Sequence, residues 1–154
     1  MKVNILMSTY NGQQFLAEQI RSIQEQSYID WTLFIRDDGS SDRTREIIKD
    51  FVEQDQRIHF IDVETDENLG VIKSFHRLVH YDTADFYFFS DQDDVWLPNK
   101  LEVSLKKSTS LSNKFAIDGL YGPQSCQSKS RSYGRKHGKI SISSCQYGIG
   151  ARVD

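Results

Sequence analysis

Short apolar segments alternate with amphipathic helical segments along the first two thirds of this chain, and this alternation limits the fold more than any other feature. Four segments have the length and apolar content of buried strands: 3–7, 31–35, 57–63 and 85–89. Each is followed by a helical pattern: 13–26, 43–54, a helix that opens at 70, and 98–105. The order βαβαβαβα is typical of a mainly parallel sheet with helices on both faces, so we predict an α/β fold.

Polar clusters follow three of the four predicted strands. They are Ser8-Thr9-Tyr10-Asn11, Asp37-Asp38-Gly39-Ser40 and Ser90-Asp91-Gln92-Asp93-Asp94. Because the carboxyl ends of parallel strands lie at one edge of a sheet, these three loops should meet there. Open α/β sheets bind ligands beyond that edge. We therefore predict a ligand site at the edge and include Asn11 among its substrate-binding residues.

The loop Asp91-Gln92-Asp93 carries the clearest chemical signal. Two carboxylates two residues apart can bind one hard cation such as Mg²⁺ or Mn²⁺, which takes several oxygen ligands. A cation at such a site bridges diphosphate oxygens and stabilises a nucleoside diphosphate leaving group. The alternative is a solvated acidic loop, or carboxylates that interact with the N-terminus of the helix near Pro98.

Two further loops have both a ligand-binding and a structural interpretation. Asp38 can accept hydrogen bonds from a base or a ribose, or it can belong to an Asx turn in which Gly39 supplies a positive φ. Helix N-termini attract phosphate, and Gly70 opens a helix that carries Lys73 one turn in. We include Gly70 and Lys73 among the candidate substrate-binding residues. The alternative for them is a helix start with a surface lysine.

The charge and the amino-acid composition of the chain change near residue 105. Residues 1–105 contain 10 Lys and Arg against 20 Asp and Glu, whereas residues 106–154 contain 9 against 2, together with 10 Ser and 6 Gly. A segment of this composition buries too little apolar surface to offset its chain entropy. We therefore predict a domain over 1–105 and an irregular basic tail over 106–154. A shifted reading frame near 106–117 is our hypothesis for the tail, and truncation of a longer domain is the alternative.

Other features narrow the class of protein. No run of 18 apolar residues is present, and the N-terminus lacks the pattern of a secretory signal. Cys126 and Cys145 are too few and too far apart for a disulfide framework or a metal site. The basic tail contains no recognisable nucleic-acid-binding module. We expect a cytoplasmic protein without a nucleic-acid partner, associated at most peripherally with the inner face of the cell membrane.

Taken together, the motifs resemble those of the inverting family 2 glycosyltransferases, which have the GT-A fold. The resemblance rests on four segments at fitting spacing: 5–12, 35–42, 68–70 and 90–101. The run Ser90-Asp91-Gln92-Asp93-Asp94-Val95-Trp96, followed by Pro98, is similar to the rhamnosyltransferase branch that includes streptococcal enzymes of rhamnose-polysaccharide synthesis. The resemblance covers residues 1–105 and implies a Rossmann-like half-domain that binds a nucleotide sugar.

The resemblance also implies a role for each matching residue. Thr9 and Tyr10 would line the nucleotide pocket, and Asp38 would contact the base. Asp91 would lie by the ribose and the diphosphate, and Asp93 would be the main ligand of Mg²⁺ or Mn²⁺. The implied donor is dTDP-rhamnose, and the implied acceptor is a saccharide or lipid-linked glycan in the synthesis of a cell-wall or capsular polysaccharide.

One departure from the family pattern concerns the reaction itself. Inversion by direct displacement needs a general base near the acceptor hydroxyl, and family members carry an acidic residue for this in a second half. After residue 105 the acidic residues are Asp118 and Asp154, and neither lies in a fitting motif. We therefore assign no base and expect donor binding with weak or no transfer. An inactive truncated product or a passive nucleotide-binding module is the alternative.

Overall fold

A computed structural model describes residues 1–65, 67–117, 140–145 and 148–153, with side chains up to residue 108. Within these ranges the chain forms strands and helices in strict alternation up to the fourth helix, and then two further strands. They are β1 (Val3–Thr9), α1 (Leu16–Gln24), β2 (Trp31–Asp37), α2 (Thr44–Gln54), β3 (Ile58–Ile61), α3 (Val71–Tyr81), β4 (Phe86–Ser90), α4 (Lys100–Ile117), β5 (Ile140–Cys145) and β6 (Gly148–Val153).

The strands form one sheet in the order β3-β2-β1-β4-β6-β5. Strands β1 to β4 are parallel, and the predicted parallel sheet is confirmed. In the register of the central strand β1, Thr9 lies opposite Asp37 of β2, and Met7 lies opposite Ser90 of β4. The carboxyl ends of these three strands therefore lie at the same edge, as expected from the order of elements.

Alternate residues along the strands contribute to two apolar cores, one on each face of the sheet. Val3, Ile5 and Met7 of β1 pack with residues of α1, α2 and α4, whereas Leu6 packs with Leu78 of α3 on the opposite face. This follows from the two-residue repeat of a strand, which directs successive side chains to opposite faces. Helices on both faces were predicted, and the core confirms them.

The structure differs from the sequence prediction after residue 105. Helix α4 continues to Ile117, and β5 and β6 lie within the segment for which we predicted irregular structure. Buried Leu101 and Leu105 hold the first turns of α4 on the core, and extending a helix adds one backbone hydrogen bond per residue without further apolar contacts. Strand β6 pairs antiparallel with both β4 and β5. This pairing satisfies backbone hydrogen-bonding groups, an effect that composition does not reveal.

Several of the sequence expectations concern residues outside the described ranges. These are most of the tail, the first residue of the predicted loop at 66–68, and Cys126, Asp118 and Asp154. The division of the chain at residue 105 and the reading-frame hypothesis stay predictions. In the described part of the chain, no helix has the length and apolar character needed to cross a membrane.

Candidate functional site

A cavity of about 180 Å³ opens where β1, β2 and β4 end. We call it the strand-end cavity. Asp38 lines it from the loop after β2, Asp93 from the loop after β4 and Tyr10 from the loop after β1. All three predicted polar loops therefore meet in one space. The lining residues are Ser8, Thr9, Tyr10, Asp38, Val71, Phe75, Asp91, Gln92 and Asp93.

The predicted site residues divide into two groups by position. The first group lines the strand-end cavity and consists of Thr9, Tyr10, Asp38, Asp91 and Asp93. The second group is absent from the described lining and consists of Asn11, Gly70 and Lys73. A ligand contact remains a prediction for every member of both groups, although the first group already shares one space.

Asn11 connects two of the loops. Its backbone, at φ 49°, has the left-handed conformation that asparagine tolerates well. Its N–H donates to Oγ of Ser40 at 2.8 Å, and its Oδ1 accepts a hydrogen bond from the N–H of Ser41 at 2.9 Å. The next residue, Gly12, donates its N–H to Oγ1 of Thr44 at 2.8 Å. The loops after β1 and β2 therefore form one hydrogen-bonded unit.

Thr9 and Asp37, the last residues of β1 and β2, stabilise this hydrogen-bonded unit. Both are buried, and the Thr9 hydroxyl donates to Oδ1 of Asp37 at 3.0 Å. The other carboxylate oxygen of Asp37 accepts the N–H of Ser40 at 2.9 Å. Thr9 thus forms part of the cavity wall while its hydroxyl proton is used within the protein.

Asp38 joins the loop after β2 to the start of α3. Its Oδ1 accepts hydrogen bonds from the N–H of Leu69 at 2.7 Å and from the Ser74 hydroxyl at 3.0 Å. Its Oδ2 accepts the N–H of Gly70 at 2.8 Å. The residue is only 4% exposed. One described donor at Oδ2 leaves that oxygen, which has two lone pairs, able to accept a hydrogen bond from a ligand in the cavity.

Arg36 supplies the remaining partner of Asp38. Its side chain is completely buried, and its guanidinium lies 2.6 Å from Oδ1 of Asp38 and 3.2 Å from Oδ2 of Asp62. It also donates to the carbonyl oxygen of Glu67 at 2.9 Å. Burial opposes ionisation of Asp38, but the hydrogen bonds from Leu69, Arg36 and their neighbours outweigh it and hold the pKa of Asp38 below its ordinary value.

Gly70 and Lys73 occupy the helix start that we predicted to attract phosphate. The N–H of Gly70 is bonded to Asp38, so this donor is already used in the protein. Lys73 is exposed. Gly70 has φ 78° and ψ 158°, a conformation that is essentially restricted to glycine. This backbone conformation turns the chain into α3. It explains the glycine at position 70 without a ligand.

The acidic loop after β4 is chemically different from the loop after β2. Asp91 and Asp93 are exposed, and within the described part of the chain neither carboxylate forms a hydrogen bond or an ion pair. Partial removal from water, and then the negative charges of Asp94 and Asp93, raise the pKa of Asp91, while Lys100 acts in the opposite direction. Carboxylates that are both unpaired and mutually repelling gain most from a bound cation.

These two carboxylates fit a divalent cation by their donor chemistry. Mg²⁺ and Mn²⁺ prefer oxygen ligands, and in phosphate-binding sites one or two carboxylates suffice because the phosphates and waters supply the rest. In the described part of the chain, no group of three or more His, Cys, Asp or Glu side chains converges to hold a metal alone. The chemistry of the two carboxylates suits a cation that the phosphates of a ligand also bind.

Gln92 is a site residue that the sequence analysis did not single out. Its Oε1 accepts the N–H of Tyr10 at 2.9 Å, and its Nε2 donates to the carbonyl oxygen of Tyr10 at 3.1 Å. Both ends of the amide thus bind one backbone residue of the loop after β1. Because the sequence separation is 82 residues, no local pattern predicts this contact.

Val71 and Phe75 also line the strand-end cavity. In the helical pattern that opens at residue 70, these two apolar residues are four positions apart and therefore lie on one face. In the structure Phe75 packs partly against the smaller core, while Val71 is 64% exposed, and both line the strand-end cavity. The apolar face of α3 therefore contributes to both the core and the cavity wall. Helical spacing alone does not show which of its residues reaches the cavity.

The parallel sheet with helices on both of its faces is that of a GT-A type α/β domain. The chain belongs to glycosyltransferase family 2, because the model of that family, described as "Glycosyl transferase family 2", matches residues 4–148. This match extends past residue 105, where the resemblance in the sequence ended.

Two curated relatives illustrate the range of the family. A UDP-Glc:alpha-D-GlcNAc-diphosphoundecaprenol beta-1,3-glucosyltransferase, WfgD of Escherichia coli, is 33% identical over 120 residues, which are 78% of this chain and 44% of that protein. A dTDP-rhamnosyl transferase, RfbG of Shigella flexneri, is 38% identical over 99 residues, which are 62% of this chain and 34% of that protein. The chain therefore spans less than half the length of these relatives.

A solved structure shows the same fold. It is the mannosyltransferase PcManGT from Pyrobaculum calidifontis in complex with GDP-Man and Mn²⁺. The TM-score is 0.62 at 20% sequence identity, over 68% of this chain and 31% of that one. At this identity the likeness concerns the fold.

Proposed function

We propose that this chain binds the nucleoside diphosphate of a sugar donor in the strand-end cavity, as the donor-binding part of a glycosyltransferase. One observation carries the proposal: Asp38 and the Asp91 and Asp93 pair, which come from different loops, line the same cavity with the exposed ring of Tyr10. A donor of this kind has a base at one end and a charged diphosphate at the other. The cavity offers a suitable partner for each.

The diphosphate end is assigned to the acidic loop. Asp93, with Asp91, would hold Mg²⁺ or Mn²⁺ through carboxylate oxygens, and both side chains are exposed towards the cavity that they line. When bound, the cation supplies the positive charge that neutralises the diphosphate and stabilises it as a leaving group. The structure of PcManGT, a protein of the same fold, was solved with Mn²⁺ and supports this assignment.

The nucleoside end is assigned to Tyr10 and Asp38. Tyr10 is 52% exposed and presents an aromatic ring to the cavity, and such a ring stacks on a flat base. Oδ2 of Asp38 can accept an N–H from the base, as thymine and uracil both provide. An ionised carboxylate accepts but does not donate, so this contact favours a base that has a donor in that position.

The donor we propose is dTDP-rhamnose. Support comes from the Ser90 to Pro98 motif, which resembles the rhamnosyltransferase branch, and from the 38% identity to a dTDP-rhamnosyl transferase. WfgD, a relative that is 33% identical, uses UDP-Glc. The sugar is therefore the part of the proposal that a direct comparison of donors must decide.

We further propose that the sugar passes, with inversion, to a saccharide or lipid-linked glycan during synthesis of a cell-wall or capsular polysaccharide at the inner face of the membrane. WfgD, whose acceptor carries a diphosphoundecaprenol group, supports the class of acceptor. We assign no general base, because the described residues of the cavity offer none beyond the carboxylates already used. Binding without transfer, by a passive nucleotide-binding module, is the alternative function.

The test is isothermal titration of dTDP in the presence of Mn²⁺, with UDP and GDP as competing nucleotides. We expect wild-type binding that Asp93→Ala weakens by at least roughly tenfold, the value of one charge-assisted contact. Asp50→Ala is the matched control, since it removes the same charge from an exposed residue of α2 that is outside the described lining. Equal affinity of wild type and Asp93→Ala would remove the metal assignment. Adding dTDP-rhamnose and an acceptor then separates transfer from passive binding.

A further inference from the structure

The side chain of Gln92 continues the sheet where β4 has ended. The last paired residue of β4 is Ser90, opposite Met7. Beyond it, the Gln92 amide accepts the N–H of Tyr10 at 2.9 Å and donates to the carbonyl oxygen of Tyr10 at 3.1 Å. A neighbouring strand would bind an extended backbone in this way. The amide orientation follows from the partners, because a backbone N–H only donates and a carbonyl oxygen only accepts.

Gly12 completes the space around this amide. A Cβ added at Gly12 would lie 2.4 Å from Oε1 of Gln92 and 2.8 Å from its Cδ. These distances are far below van der Waals contact. The φ angle of Gly12 is not positive, unlike those of Gly39 and Gly70. A side chain at position 12 would therefore displace the Gln92 amide, whereas the backbone conformation of Gly12 does not itself demand glycine.

The position of Gln92 between the two acidic residues gives this contact a functional consequence. Asp91 and Asp93, its direct neighbours, are the proposed cation ligands, and Tyr10, its hydrogen-bond partner, is the proposed base contact. We propose that Gln92 is a positioning residue that couples cation binding by the acidic loop to nucleotide binding by the loop after β1. The inference rests on the proposed function. It adds that Gln92, for which Gly12 leaves room, determines whether the base and the diphosphate of one nucleotide are bound at the same time.

The coupling can be measured with Mn²⁺ and dTDP as the two probes. It is the factor by which saturating Mn²⁺ tightens dTDP binding, and by reciprocity the factor by which dTDP tightens Mn²⁺ binding. In Gln92→Ala we expect this factor to fall roughly tenfold, the value of losing two neutral hydrogen bonds. The affinity for Mn²⁺ alone should stay unchanged, because both carboxylates remain. A purely structural role would lower the thermal midpoint and weaken every affinity together.

Gln14→Ala is the matched control. Gln14 is exposed in the same loop as Tyr10 and is not part of the described cavity lining. Its replacement removes the same side-chain amide from the neighbourhood of the site. We expect the coupling factor of Gln14→Ala to equal that of the wild type.

A double-mutant cycle with Gly12→Ala tests the mechanism. In the wild-type background the new methyl group displaces the Gln92 amide, so Gly12→Ala should reproduce the roughly tenfold loss of coupling. In the Gln92→Ala background the space is empty, and Gly12→Ala should have no further effect on coupling. Strong non-additivity of this kind is the signature of two residues in direct contact.

The outcomes distinguish this inference from the proposed function. Wild-type protein that binds neither dTDP nor Mn²⁺ would refute the proposed function and this role with it. Wild-type binding with unchanged coupling in Gln92→Ala would overturn the positioning role alone. Additive losses in Gly12→Ala and Gln92→Ala would also overturn it, because they would show that the two residues act separately.

Discussion

The guanidinium of Arg36 lies 2.6 Å from Oδ1 of Asp38 in a site where neither side chain is more than 6% exposed. Asp38 in turn accepts the N–H groups of Leu69 and Gly70 at the start of α3. A buried positive charge at the end of β2 therefore fixes the carboxylate that holds one wall of the strand-end cavity. The loop and the helix are joined through this ion pair.

Replacing Arg36 by leucine should destabilise the protein strongly. The variant leaves Asp38 buried with its charge uncompensated, and removing one partner of a buried ion pair costs about 3–5 kcal/mol. Arg77→Leu is the matched control, because Arg77 contacts Asp62 as Arg36 does but is 44% exposed. Exposed pairs contribute at most about 1 kcal/mol. Urea unfolding of both variants measures the difference, and equal losses would show that burial of Arg36 is unimportant.

Stability should fall in acid, and Asp38 should account for part of the loss. Its pKa is lowered in the folded protein, so its stabilising contribution is present above the ordinary aspartate value of 3.8 and is lost as the pH falls through the lower folded value. In Asp38→Asn this contribution is absent at every pH. The difference in free energy of unfolding between wild type and Asp38→Asn should therefore shrink as the pH drops below that range. A constant difference would contradict the lowered pKa.

Binding of Mn²⁺ in the absence of nucleotide should weaken in mildly acidic solution, at pH values where an ordinary aspartate is still ionised. The reason is the raised pKa of Asp91, since a cation binds only the carboxylate form. Asp94→Asn removes a cause of the increase and should move the midpoint to lower pH, whereas Lys100→Met removes the opposing charge and should move it to higher pH. Paramagnetic resonance of free Mn²⁺ follows the titration. Shifts in the same direction for both variants would refute this account.

Gly70→Ala should lower stability through the backbone alone. The φ of 78° and ψ of 158° are strained for any residue with a Cβ, and such strain costs about 1–3 kcal/mol. Among the described residues other than its two chain neighbours, no heavy atom lies within 4 Å of an added Cβ, so a steric clash does not contribute. Urea unfolding measures the cost. A variant as stable as the wild type would mean that the chain enters α3 by another conformation, which a crystal structure of the variant would reveal.

The sequence was sufficient for the first four strands, for the four helices that follow them and for the edge at which the candidate site forms, but not for β5 and β6. The periodicity of the apolar residues gave four strands and four helices in the correct order, and the clusters around Thr9, Asp38 and Asp93 were correctly expected at one edge. Local sequence patterns were less informative about the hydrogen-bond partners of individual side chains. Asp38 had two interpretations, a ligand contact and an Asx turn, and the structure shows a third set of contacts with Arg36 and α3.

The sequence by itself determined the parallel sheet, because apolar periodicity is a local property that each segment carries alone, and it determined the residue types at the strand ends. Only the tertiary structure decided which side chains meet across loops. The amide of Gln92 reaches Tyr10 over 82 residues, and the guanidinium of Arg36 connects β2 with the start of α3. Such contacts depend on the register and twist of neighbouring strands. Because the contacting residues are far apart in the sequence, they leave no periodic signal along the chain.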